Sequence, residues 1–151
     1  MPKRIVAELM NPDVVCATPD MSVAQVGRLL AERGVSAAPV VGPQGQVLGI
    51  ITQHDLVRHA ARRMTVAEAG RFVTDDRGYE EIERLPADLS STLVEKVMHQ
   101  PVYGVDRRSS VAVAANIMRE RRVHRLVVTE RGRLVGVISA LDLMRVVEES
   151  C

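Results

Sequence analysis

Two four-residue motifs carry the groups in this chain that have the types and spacing to meet a ligand: Thr52-Gln53-His54-Asp55 and Ser139-Ala140-Leu141-Asp142. In each, a hydroxyl residue precedes a carboxylate by three positions. Each follows a short apolar run, Val47 to Ile51 or Leu134 to Ile138, that reads as a buried strand. The pattern is that of a helical capping box, in which the hydroxyl accepts a backbone N–H and the carboxylate reaches back to the N–H of the cap residue. The same geometry has a second use. A helix N-terminus beyond the carboxyl end of a strand offers unpaired N–H groups and a positive dipole end, which suit a phosphate. A carboxylate beside it suits the two hydroxyls of a ribose. Capping boxes are common, so either motif taken singly is read more readily as a cap than as a binding site.

The elements that position these motifs are themselves written twice. Gly45 to Leu56 reads Gly-Gln-Val-Leu-Gly-Ile-Ile-Thr-Gln-His-Asp-Leu, and Gly132 to Leu143 reads Gly-Arg-Leu-Val-Gly-Val-Ile-Ser-Ala-Leu-Asp-Leu. Upstream, Val6 to Met10 is echoed by Val94 to Met98, an offset of 88 residues, and the two are closed by Pro12 and Pro101. Extended segments follow, Val14-Val15-Cys16 and Val102-Tyr103-Gly104, and then helices that start near Ser22 and Ser110. Ser22 with Gln25 has capping-box spacing. Val23, Val26, Gly27 and Leu30 share one face of the first helix, and Val111, Ala114, Ala115 and Met118 share one face of the second. Gly34 stands where the first helix wants a left-handed residue, whereas Arg122 holds the matching place in the second. Strands follow at Val35 to Val41 and Val123 to Thr129. The offset falls to 87 by Asp142 because the second hairpin loop is one residue shorter.

Each copy thus reads β-α-β-β-α, a mixed α+β unit too small to bury a core of its own, and the two are expected to pack as one pseudo-twofold module. Repeat one is placed at 5–56, a helical insertion at 57–90 and repeat two at 93–146. The insertion continues the helix beyond Asp55 through Val57, Ala60, Ala61 and Met64. It then carries Phe72, Tyr79, Ile82 and Leu85, enough apolar content to argue against a loose linker.

Composition narrows the function class. A formal charge of +1 on 151 residues gives no electrostatic reason to expect nucleic acid, although 18 of the 20 basic residues are arginine. No apolar run approaches the roughly 20 residues of a membrane-spanning helix, and the N-terminus lacks a secretory signal, so a cytoplasmic location is expected. Cys16 and Cys151 form no close-spaced pair. His54, His59, His99 and His124 show no zinc-protease spacing, and neither a nucleophile elbow nor a phosphate-binding Walker loop is present, so no enzyme is expected.

The order Met10 to Pro12, Val35 to Val41 with Pro39, and Gly49-Ile50-Ile51-Thr52-x-x-Asp55-Leu56, given twice, resembles a tandem pair of cystathionine beta-synthase (CBS) domains. The resemblance covers about two thirds of the chain. It implies a regulatory module that binds AMP, ADP, ATP or S-adenosylmethionine in two clefts. It implies that the aspartate of each motif holds ribose hydroxyls, that the threonine or serine touches phosphate, and that the base lies against the extended segment of the other repeat. Carried over, one cleft takes Ile50, Thr52 and Asp55 with Val102, Tyr103, His124 and Arg125. The other takes Val137, Ser139 and Asp142 with Val14, Val15, Ser36 and Ala37. No metal ligands are implied. Val127 in place of the proline at Pro39, and the long 57–90 insertion, depart from the pattern.

These readings give an adenosine-ligand sensor without catalytic activity, acting on an unidentified protein and paired as a homodimer through the helices after Asp55 and Asp142. The alternative is a dimerising scaffold whose aspartates only cap helices. His124 and Arg125 make the Asp55 cleft the expected phosphate site, since an arginine fork grips phosphate with two parallel hydrogen bonds.

Overall fold

The computed structural model describes residues 3–61 and 90–150. In chain order its elements are α1 (Val6–Leu9), α2 (Val23–Arg33), β1 (Ala37–Val41), β2 (Val47–Thr52), α3 (Gln53–Ala61), a 3-10 turn (Val94–Lys96), β3 (Gly104–Asp106), α4 (Val111–Arg121), β4 (Arg125–Glu130), β5 (Arg133–Ser139) and α5 (Ala140–Ser150). Helix and strand are mixed as the repeat pattern predicts. Met64, Phe72, Tyr79, Ile82 and Leu85 of the expected insertion lie outside the described residues. Among the described residues no helix is long and apolar enough to cross a membrane.

Local signals set the ends of the elements. Ser22 Oγ accepts the Gln25 N–H at 3.1 Å while Gln25 Oε1 accepts the Ser22 N–H at 2.8 Å, which closes the box that starts α2. Gly34 ends α2 in the left-handed region at φ 64°. Arg122 ends α4 the same way at φ 55°, so the second copy keeps the glycine geometry with a Cβ in place. The hairpin between β4 and β5 turns through Arg131 and Gly132, both left-handed at φ 53° and 77°. That pair of angles matches the strand twist in a two-residue loop.

The chain divides into two compact units: Val15–Gly42 with Leu48–Gln100, and Met1–Val14 with Pro43–Val47 and Pro101–Cys151. In the first, Val23, Val26 and Leu30 of α2 pack on Ala38, Val40, Ile51, Leu56 and Ala60. Ala17 runs parallel beside Val40, its N–H donating to the Pro39 carbonyl at 2.9 Å. At the other edge Ile50 and His99 exchange two backbone hydrogen bonds of 3.0 and 2.9 Å.

The second unit repeats the plan. Its sheet runs β3-β4-β5, with β3 parallel to β4, β4 antiparallel to β5, and Arg125 opposite Ser139. Asn11 exchanges hydrogen bonds of 2.8 and 3.0 Å with Val137 on the outer edge, as His99 does with Ile50. The core holds Val6, Leu9, Val105, Ala114, Met118, Leu126, Val128 and Ile138. The expected face of α4 is met at Ala114 and Met118, but Ala115 is exposed and Ile117 packs on the core instead. In each unit the segment laid on the outer strand comes from the start of the other repeat: Val6 to Asn11 lies with β5, and Val94 to His99 with β2. Both crossings need a glycine. A Cβ on Gly49 would stand 2.7 Å from Met98 Sδ and 3.1 Å from the His99 carbonyl; one on Gly136 would meet Met10 Sδ at 2.8 Å and the Asn11 carbonyl at 3.0 Å.

Candidate ligand-binding site

Each strand hands its chain to a helix through the same set of bonds. The Asp55 N–H donates to Thr52 Oγ1 at 3.1 Å and Asp55 Oδ2 accepts the Thr52 N–H at 2.9 Å. At the second junction the Asp142 N–H donates to Ser139 Oγ at 3.1 Å and Asp142 Oδ2 accepts the Ser139 N–H at 2.8 Å. Both motifs are therefore true capping boxes, and the cap uses one carboxylate oxygen only. The first helical N–H of each helix is also engaged, Gln53 to the Ser36 carbonyl at 2.9 Å and Ala140 to the His124 carbonyl at 2.8 Å. These ties hold the start of each helix against the preceding strand and fix where the carboxylate sits.

Beyond the shared box the two carboxylates differ. Asp55 is 3% exposed, and it is the one buried charged side chain among the described residues. Its Oδ1 accepts Arg58 Nη2 at 3.1 Å, as the three-residue spacing on α3 predicts. Its Oδ2 also lies 2.8 Å from His99 Nδ1. A carboxylate with these partners accepts only, so the proton of that contact belongs to His99 Nδ1. Asp142 is half-buried, and the Ser139 N–H is its side chain's partner among the described residues.

The other expected residues are distributed as follows. Ile50 and Val137 are half-buried and pair with the crossing segments through His99 and Asn11. Val14, Val15 and Val102 are half-buried on extended chain. Tyr103 is half-buried; its carbonyl accepts the Val127 N–H at 3.1 Å, and the Arg121 guanidinium lies over its ring, 5.3 Å from the centroid. That places a cation on one ring face, a favourable contact with the ring quadrupole. His124 and Arg125 are exposed at the start of β4, and so is Ser36 at the matching place before β1, with Ala37 half-buried.

Sequence reasoning missed His99 and Arg121 as neighbours of site residues. A signal for the first was present: His99 sits 88 residues after Asn11, at the end of an echoed segment. Its partner Asp55 is 44 residues away, beyond the reach of any local pattern.

Comparison with known proteins agrees with the twofold plan. The CBS domain model matches residues 6–62 and 94–149, most of the chain. Inosine-5'-monophosphate dehydrogenase of Mycobacterium tuberculosis is 28% identical over 146 residues, 96% of this chain and 22% of that enzyme. The uncharacterized protein MK0525 of Methanopyrus kandleri is 23% identical over 142 residues, 93% of this chain and 61% of that protein. The chain thus spans less than two thirds of these relatives. Among solved structures, the CBS domain of a membrane protein from Sphaerobacter thermophilus superposes with a TM-score of 0.72 at 27% identity, covering 95% of this chain and 87% of that one. CBSX2 in complex with AMP gives 0.71 at 20% identity, covering 97% and 98%. The CBS domain pair of MJ0100, in complex with 5'-methylthioadenosine and S-adenosyl-L-methionine, gives 0.70 at 17% identity, covering 99% and 100%. With two copies of the motif, two matched segments and these folds beside it, the chain belongs to the CBS domain family as a tandem pair.

Proposed function

We propose that this chain is a regulatory module that binds an adenosine-containing ligand, of the AMP, ADP, ATP or S-adenosylmethionine type, and performs no catalysis itself. The observation that carries the reading is the doubled junction: Thr52 with Asp55 and Ser139 with Asp142 each set a carboxylate at a helix start, fixed by the same reciprocal bonds. A carboxylate so fixed is suited to a ribose diol, and the helix start beside it to a phosphate. Ile50, Val137, Val14, Val15, Val102 and Tyr103 supply the apolar contacts for a base in this reading, and His124 and Arg125 supply cations for phosphate. The adenosine compounds held by CBSX2 and MJ0100 support the choice of ligand class. Regulation follows if the ligand has different affinities for two arrangements of the module, one of which a protein partner in the cytoplasm recognises. Isothermal calorimetry with AMP, ADP, ATP and S-adenosylmethionine tests the reading; heats no larger than dilution for all four would sink it.

A second reading is a dimerising scaffold that needs no ligand. The face of α5 favours it: Leu141 is 80% exposed, Met144 50% and Val147 52%, a run of large apolar side chains on one side of the helix. A homodimer closed through this face belongs to both readings. Calorimetry separates them, because only the first requires an adenosine compound to bind.

A further inference from the structure

The two motifs share spacing, capping bonds and strand-to-helix geometry, so a difference in what their carboxylates still offer comes from the residues laid against them. Asp55 Oδ2 takes two donors, the Thr52 N–H at 2.9 Å and His99 Nδ1 at 2.8 Å, and Oδ1 takes Arg58 Nη2 at 3.1 Å. A carboxylate has about four lone-pair directions, and a ribose diol seeks two of them side by side. Asp55 has one left, on a side chain 3% exposed. Asp142 Oδ2 takes the Ser139 N–H, and its Oδ1 has no partner among the described residues.

The matching residues explain the contrast. Arg145 occupies on α5 the place of Arg58 on α3, but forms no ion pair with Asp142 among the described residues. Asn11 bridges to Val137 just as His99 bridges to Ile50, so the two crossing segments lie alike on their strands. Yet Asn11 Oδ1 accepts the Asp13 N–H at 3.0 Å, turning back on its own loop, where His99 reaches the carboxylate. The imidazole is long enough to span from the crossing segment to the helix start, and the amide is held by its turn.

We infer that His99 closes the first ribose acceptor, so that an adenosine ligand is held first through Asp142 and reaches Asp55 only after the imidazole leaves Oδ2. The inference rests on the adenosine-binding reading and reverses the order expected from the cations His124 and Arg125. His99 acts here as a positioning residue, through Asp55. A ligand at Asp55 must replace a charge-assisted hydrogen bond already made, while a ligand at Asp142 displaces only water.

The experiment is calorimetric titration of AMP into the full chain and its Asp142→Asn, Asp55→Asn and His99→Asn variants, with 15N-detected imidazole spectra of His99. Wild type is expected to show a tighter and a weaker event, Asp142→Asn losing the tighter and Asp55→Asn the weaker. His99→Asn, which installs the residue found at the matching position, is expected to tighten the weaker event by about tenfold. A residue that merely supported the fold would weaken binding when replaced. The neutral His99 imidazole is expected as the Nδ1–H tautomer in wild type and to lose that preference in Asp55→Asn. Loss of the tighter event in Asp55→Asn but not in Asp142→Asn overturns the inference while leaving the adenosine reading in place. So does an Nε2–H tautomer for His99 in wild type. No binding of AMP or the other adenosine compounds to wild type overturns the reading itself.

Discussion

Gly49 and Met98 approach so closely that a Cβ on the glycine would stand 2.7 Å from the methionine sulfur. The crossing segment that carries His99 rests on β2 at this point, with backbone bonds from His99 to Ile50 on one side and the Gln100 side-chain amide donating to the Leu48 carbonyl on the other. Gly49→Ala is therefore expected to push the segment off the strand and to destabilise the protein by about 1–3 kcal/mol, the usual range for overpacking. Gly136→Ala, set against Met10 and the Asn11 carbonyl, is expected to behave alike. Urea unfolding checks both, and an unchanged midpoint for either variant would show that the methionine yields freely.

The ends of α2 and α4 offer a paired test of backbone strain. Gly34 and Arg122 hold the same left-handed conformation, φ 64° and 55°, and nothing stands within 4 Å of a Cβ placed on Gly34. The difference between them is then the intrinsic cost of the left-handed region for a residue with a Cβ, about 1 kcal/mol. Arg122→Gly is expected to raise stability by about that amount and Gly34→Ala to lower it by a similar amount. Thermal unfolding in which both substitutions destabilise would mean that the Arg122 side chain makes a compensating contact.

Burial pushes the Cys16 thiol up from its ordinary value, because the thiolate loses hydration there. The folded state therefore favours the neutral thiol. Its contribution to stability is complete below the unfolded thiol's pKa and is lost as pH rises through the higher folded value. In a Cys151→Ser background, iodoacetamide is expected to label Cys16 more slowly than a free cysteine peptide near neutral pH. The labelling rate should continue to climb at pH values where the peptide has levelled off. A rate equal to the peptide's would contradict the shift.

The exposed face of α5 predicts the mass in solution. Leu141, Met144 and Val147 lie three residues apart and are at least half exposed. A protein pairing through them should run at twice 16.6 kDa by light scattering, and Leu141→Glu combined with Met144→Glu should return it to 16.6 kDa. A wild-type mass of one chain would remove the homodimer from both functional readings.

What the sequence determined alone is what acts within one turn of chain. The boxes at Ser22, Thr52 and Ser139 join residues three apart, so their bonds follow from spacing, and the left-handed end at Gly34 follows from the freedom of a residue without a Cβ. The repeat was legible for the same reason, since it is a pattern of types at fixed offsets. It also named the residues of both motifs, because the helix start and its carboxylate are encoded together. The faces of α2 and α4 were readable from period, except at Ala115 and Ile117, where the way α4 lies on its sheet selects one side chain over another. Tertiary structure alone decided that Val6 to Asn11 completes the sheet of the later strands and Val94 to His99 that of the earlier ones. It decided likewise that Arg121 covers Tyr103 and that His99 finds Asp55. Such pairings depend on which surfaces meet when the cores close, and no periodicity along the chain records that. The two aspartates are alike in sequence and unlike in surroundings for this reason: the capping bonds are local, and the imidazole arrives from 44 residues away.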